Sequence, residues 1–224
     1  MEQTALLATV LENPTDDTAR LVLADMLRES DDLEEQTRGR FLWGAVTTTR
    51  YTAAGSIPDE VFRTALNEVN SIIEEGYPAR WLSKLGIGPR PLIRQDWRLK
   101  RKNDRYAISI GAYEGVFTRG MLSELSLPLG EWYELGTKAL AQWPLERILI
   151  TDVAGLIFSI RKAGDEWELE AGFELEERGV QATESDPGLW LIRESYPDRE
   201  SLVEWIALES EDLMNRLNQM VEEQ

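Results

Sequence analysis

Apolar residues recur at helical spacing through the first third of the chain and at strand spacing further on, so the pattern predicts helices first and a sheet second. Leu6, Leu7, Val10 and Leu11 share a face of a short helix that Thr4 can cap and Asn13-Pro14 stops. Asp16 or Asp17 opens a second helix with Leu21, Leu23, Ala24 and Leu27 at helical spacing, and Ser30-Asp31-Asp32 breaks it. The two predict a helical hairpin. A third helix over residues 33–49 brings Phe41, Leu42, Ala45 and Val46 to one face. After Gly55-Ser56 a fourth begins at Pro58, a favoured first helical position, and runs to about residue 75 through Val61, Phe62, Leu66, Val69, Ile72 and Ile73.

Six glycines and prolines between residues 76 and 91 interrupt any long periodic element, with room for one or two helical turns over 79–85, so 76–105 reads as a connector. Short apolar runs follow at 106–110 and 115–117. Then LSELSL at 122–127 returns 23 residues later as LERILI at 145–150, around a helical stretch from 130 to 143. Both copies fit L-x-x-L-x-L, the second with Ile148 and Ile150 in place of the later leucines, and this is the strand signature of leucine-rich repeats, whose period is ~20–29 residues. Strand, helix, strand at this length favours a parallel right-handed crossover. Beyond it, residues 156–160, 167–171 and 189–192 predict three further, hairpin-like strands, and a last helix starting near Asp198 carries Leu202, Val203, Trp205, Ile206, Leu208, Leu213, Leu217 and Val221. Two copies fall short of the ~3 repeats a solenoid wants, so this is one crossover unit in a mixed sheet.

Residues 16–29, DDTARLVLADMLRE, followed by Arg38-Gly39 and Phe41-Leu42, resemble the repeat-companion domain, a short helical module of planctomycete and phage-encoded proteins. The chain departs from the pattern at Met26, where relatives have Trp, and at Ser30-Asp31, where they have Gly-Asp. RGMLSEL at 119–125 and WPLERILITD at 143–152 resemble the leucine-rich segment that follows the module in those relatives. Together the matches cover about half the chain. The resemblance implies a helical module followed by leucine-rich-repeat-like sequence and carries over no catalytic residues, and the CxxC zinc knuckles of some relatives are missing here. Arg20 and Asp25, five apart on a helix, do not form the usual i,i+4 pair and are expected to stabilise the hairpin through other partners.

The 224 residues contain no cysteine and no histidine, which excludes disulfides, thiolate and imidazole metal sites, and Ser-His-Asp chemistry together. No cofactor is expected. The start of the chain lacks the basic and apolar regions of a signal peptide, and no apolar run approaches the ~18 residues of a membrane span, so a cytoplasmic location and no membrane contact are expected. The net charge of −17 is uneven: residues 1–60 carry −7, 61–130 carry +4 and 131–224 carry −14. An acidic chain repels the nucleic-acid backbone at long range, while its basic middle leaves a local contact open.

Two charged constellations stand out. Within residues 90–105, Arg90, Arg94, Arg98, Lys100, Arg101, Lys102 and Arg105 surround Trp97, seven bases against two acids. Such a run suits an arm that pairs with phosphates and stacks Trp97 on a base, an arm docked on the acidic half of the chain, or one that binds an acidic protein. Glu166, Glu168 and Glu170 alternate on a predicted strand and share a face, with Glu174 and Glu176 just beyond, a solvated surface or an imitation of phosphates toward a basic partner. The eight tryptophans are dispersed, which suits packing anchors or an interface.

The expected fold is therefore α+β: an N-terminal helical module over 1–75, the basic connector over 76–105, and over 106–224 a small leucine-rich-repeat-like mixed sheet with a closing C-terminal helix. The expected function is a non-enzymatic module that binds a protein partner through its sheet and acidic surface. A nucleic-acid-associated protein using the 90–105 arm is the alternative, and a carboxylate-dependent hydrolase a weaker third.

Overall fold

The computed structural model describes residues 2–87, 97–102, 105–152, 156–174 and 188–206. The chain is α+β and divides into two compact units, residues 1–126 with 143–145, and residues 127–142 with 146–224. That division departs from the expected boundaries at 75 and 105: the helices and the first strands belong to one unit.

In the first unit five helices precede four strands: α1 (Glu2–Glu12), α2 (Asp17–Arg28), α3 (Leu33–Ala53), α4 (Glu60–Glu74), α5 (Tyr77–Leu85), β1 (Trp97–Lys102), β2 (Arg105–Ile110), β3 (Tyr113–Thr118) and β4 (Met121–Leu127). α1 starts before Thr4, which lies inside the helix and does not cap it. Asp16 caps α2 by accepting from the Thr18 amide at 2.8 Å, and Asp32 caps α3 by accepting from the Glu34 and Glu35 amides. Pro58 lies outside α4, because Asp59 takes the cap and accepts from the Phe62 amide at 2.9 Å. That carboxylate also accepts from the Tyr51 hydroxyl at 2.6 Å, and these bonds hold its pKa below the usual carboxylate value, the tyrosine bond most of all. Val61, expected in the core, is exposed, since the buried face of α4 is Ala65, Val69, Ile72 and Ile73.

α3 is the central helix. Phe41, Leu42, Ala45 and Val46 are buried as expected, and two glycines let neighbours approach closely. A Cβ at Gly39 would lie 2.7 Å from the Ala24 carbonyl oxygen and 2.8 Å from the Arg28 amide nitrogen, so α2 touches α3 backbone to backbone. At Gly44 the same atom would meet Val69 at 2.7 Å and the Ala65 oxygen at 2.9 Å, on α4.

The helical turns allowed over 79–85 are α5, longer by two residues at its start, while the connector reading gives way at β1. Gly76, left-handed at φ 83°, precedes α5, Pro78 sits in its first turn, where no amide donor is needed, and Gly86 at φ 114° ends it. The punctuation brackets a helix whose Trp81, Leu82 and Leu85 are buried. β1 then pairs antiparallel with β2, Trp97 opposite Ile110.

β1 to β4 form an antiparallel run. β2 alternates strictly, with Tyr106, Ile108 and Ile110 inward. In β4, Leu122 and Leu125 are three apart and would face opposite ways on a regular strand, yet both are buried. The register slips between Val116 and Phe117, leaving Ser123 as an extra residue on β4; its hydroxyl donates to the Val116 carbonyl at 3.1 Å. This bulge turns the L-x-x-L-x-L pattern into a single buried face. The second copy solves the same mismatch differently: β5 starts only at Arg147, so Leu145 lies before the strand while Ile148 and Ile150 alternate on it, and all three are buried.

One aromatic cluster joins helices to sheet. The Phe41 ring lies 5.3 Å from Trp81, 5.9 Å from Tyr106 and 6.2 Å from Phe117, and Phe117 meets Trp143 edge-on at 5.9 Å. A side chain at Gly115 would strike Leu82 at 2.8 Å, so α5 rests directly on β3.

The second unit contains α6 (Leu129–Gln142), β5 (Arg147–Ile150), β6 (Leu156–Ala163), β7 (Glu166–Glu174) and β8 (Gly188–Tyr196). β5 to β8 pair antiparallel in chain order, and Gly164-Asp165 makes the two-residue turn between β6 and β7 with Gly164 at φ 65°. The Thr151 amide donates to the Leu127 carbonyl at 3.0 Å, and Trp132 of α6 stacks on Phe158 of β6 at 5.5 Å. Asp198 opens the closing helical stretch over 199–206 by accepting from the Ser201 amide at 2.7 Å, with Leu202 and Ile206 buried. The expected apolar positions at 208, 213, 217 and 221 lie outside the described residues.

Candidate functional site

The motif residues of the N-terminal resemblance are tied into the first unit. Arg20 is 3% exposed and donates from Nη1 to the Pro14 carbonyl, bracing the α1–α2 turn as the hairpin reading expects. Asp25 is exposed and lies 3.4 Å from Arg28, a pair worth little at the surface. Asp17 accepts from Arg50 Nε at 3.3 Å and lies 3.4 Å from Arg119 Nη1, which also donates to the Thr15 carbonyl at 3.2 Å. Arg119 and Gly120 form the two-residue turn between β3 and β4, both at positive φ, 51° and 78°. A Cβ at Gly120 would meet Leu42 Cα at 2.7 Å, so the turn is pressed onto α3. The Arg38 guanidinium lies 4.3 Å from the centre of the Trp143 ring, and burial lowers its pKa against the opposing pull of Glu35 and Glu34. Phrases far apart in sequence thus meet as caps, ion pairs and stacking. They build the unit.

The basic run does not form a free arm where the structure describes it. Trp97 is 4% exposed and its ring lies over the Gly76 turn, where a Cβ at Gly76 would meet it at 3.4 Å, so it is not available to stack on a base. Arg101 Nη1 donates to Asn70 at 3.4 Å and its guanidinium lies 5.3 Å from the Tyr106 ring centre, while Arg105 pairs with Glu124. Arg98 and Lys100 are exposed on β1. Lys102 ends that strand, and Arg90 and Arg94 lie outside the described residues. Among the described residues β1 pairs with β2 alone, and charged side chains on such a strand discourage edge-to-edge association. That gives Arg98 and Lys100 a structural use.

In the second unit β7 alternates as expected: Trp167, Leu169 and Ala171 are buried, and Glu166, Glu168 and Glu170 point outward. The acids are not a bare row, however. Arg161 on β6 donates from Nε to Glu168 at 2.6 Å and lies 3.6 Å from Glu170, and the Glu168 bond raises its pKa further. Glu166 is exposed, Glu174 ends β7, and Glu176 lies outside the described residues. Among the described residues no cluster of acids could hold a metal ion, and no helix is long and apolar enough to cross a membrane.

A concave surface lies between α1 and α2. This open groove of about 500 Å³ has Ala5, Leu6 and Thr9 on its α1 side. Val22 and Met26 line its α2 side, and Asp25 and Glu29 rim it. α2 carries two apolar faces: Leu23, Ala24 and Leu27 are buried, whereas Val22 remains 48% exposed. The pattern assigns α2 one core face, and the second, at 22 and 26, is the signal that could have revealed the groove.

Compared with family profiles, curated proteins and solved structures, the chain matches none.

Proposed function

We propose that this protein is a non-enzymatic protein-interaction module, working in the cytoplasm, whose partner binds along the α1–α2 groove. The observation that carries the reading is the pairing of a half-exposed valine with Leu6 and Met26 in an open, acid-rimmed groove. Open concave apolar surfaces of this kind are where partners bury side chains. The absence of cysteine and the acidic composition suit the proposed location. The resemblance to the repeat-companion domain belongs to the same proposal, since the residues that carry it cap, pair and stack. The acidic face of β7 contributes less, because Arg161 engages two of its carboxylates.

A nucleic-acid contact keeps one specific support, the exposed Arg98 and Lys100 on β1. Affinity capture from lysate, with and without nuclease, separates the readings. Three baits are compared: the parent chain, Val22→Arg, and Arg98→Ala/Lys100→Ala. A captured protein that is lost with Val22→Arg but retained by the β1 variant and after nuclease is the expected result. Retention by Val22→Arg together with loss after nuclease would transfer the function to β1.

A further inference from the structure

We infer that the α1–α2 groove takes a basic amphipathic helix of the partner protein, an inference that rests on the interaction-module reading and specifies its ligand. Shape favours a helix. The α2 side of the groove runs from Val22 to Glu29, about two turns or ~10 Å at 1.5 Å per residue, the length over which a docked helix presents residues i, i+3 or i+4, and i+7. Backbone chemistry favours it as well. Both walls are helices whose amides and carbonyls are bonded internally, so the groove offers an extended peptide no ladder to join, whereas a helix arrives with its own backbone satisfied.

The apolar floor of Leu6, Val22 and Met26 takes leucine-sized side chains, and the unbranched thioether of Met26 adapts to their shape. Charge then selects among helices. Asp25 and Glu29 stand at the rim, and residues 1–60 carry −7. Arg28 on α2 pairs with Asp25 at 3.4 Å in an exposed contact that offsets that charge only weakly, and its guanidinium also lies 5.2 Å from the Trp43 ring centre. A helix with lysines or arginines flanking its apolar stripe meets opposite charge along the rim. A nucleic acid meets repulsion there, and so does a second copy of this chain, whose net charge is −17.

The test titrates the full chain with a synthetic amphipathic peptide of about 14 residues, ~21 Å as a helix, carrying leucines at the stripe and lysines on its flanks. A twin peptide carries glutamates in place of the lysines, and binding is read residue by residue from amide NMR shifts. The lysine peptide is expected to perturb Leu6, Thr9, Val22 and Met26 and to bind at least ~10-fold more tightly than its twin, with the advantage shrinking as salt rises. Asp25→Lys/Glu29→Lys, at two exposed positions, is expected to reverse the preference. Equal binding of the twins, perturbation centred away from α1 and α2, or an unreversed preference overturns the inference. If capture depends on Val22 but neither peptide enters the groove, the helix is the wrong occupant and the interaction module stands. If capture ignores Val22, the module reading fails as well.

Discussion

Phe41→Ala is expected to cost about 3–5 kcal/mol and to lower the melting temperature of the first unit by roughly 10 °C. Phe41 is 0% exposed, and its ring joins three elements at once: α5 through Trp81, β2 through Tyr106 and β3 through Phe117. Truncation removes the apolar burial of a phenylalanine, leaves a cavity that three separate elements must collapse together to fill, and breaks edge-on ring contacts worth ~0.5–1.5 kcal/mol each. Phe41→Leu keeps most of the volume and is expected to lose less than half as much. Thermal unfolding followed by tryptophan fluorescence reports on the cluster directly, through Trp81 and Trp143. A loss near 1 kcal/mol for the alanine variant would contradict a core shared between helices and sheet.

Gly39→Val is the second large effect, expected to exceed ~3 kcal/mol or to prevent folding of the unit. Two of the three atoms a Cβ would strike are backbone, the Ala24 oxygen and the Arg28 nitrogen, so no rotamer change relieves the contact and α2 must move away from α3. Movement of α2 also strains the Asp17 pairs with Arg50 and Arg119. Gly55→Ala is the matched control: Gly55 has open space around it, so only the cost of its φ of 59° applies, about 1 kcal/mol. Equal losses at the two positions, measured by denaturant unfolding, would show that the α2–α3 contact is looser than the backbone geometry requires.

Elements with a clean period were legible from the residues alone. Tyr106, Ile108 and Ile110, and again Trp167, Leu169 and Ala171, alternate in sequence as they do in the strands. The cap at Asp198 was legible too, and that of α2 was narrowed to Asp16 or Asp17, because a short acceptor before an apolar run has one strong local use. What local pattern conceals is whether a punctuating residue breaks an element or bounds it. Gly76, Pro78 and Gly86 read as a linker, yet each occupies a helix-boundary position where its missing side chain or missing amide costs nothing. Leu122 and Leu125 pointed to a repeat strand, but their shared burial depends on a bulge at Ser123 that only the pairing with β3 reveals.

The candidate sites were less legible than the fold, for a related reason. The charge of the 97–105 segment was plain, but whether its aromatic faced water depended on strand phase, and β1 turns Trp97 into the core. The glutamates of β7 were placed on the correct face, while the arginine that engages them comes from β6 and is visible only once the strands pair. The groove is the extreme case. No single segment carries it, because Leu6 and Val22 become neighbours of one surface only when α1 and α2 pack.

Hydrogen–deuterium exchange on the full chain, alone and saturated with the protein it captures, tests the groove as the binding surface most directly. Slower exchange over residues 5–9 and 22–29, with 97–102 and 166–174 unchanged, is the predicted result. Slower exchange confined to 97–102 or 166–174, with α1 and α2 exchanging as in the free chain, would contradict it.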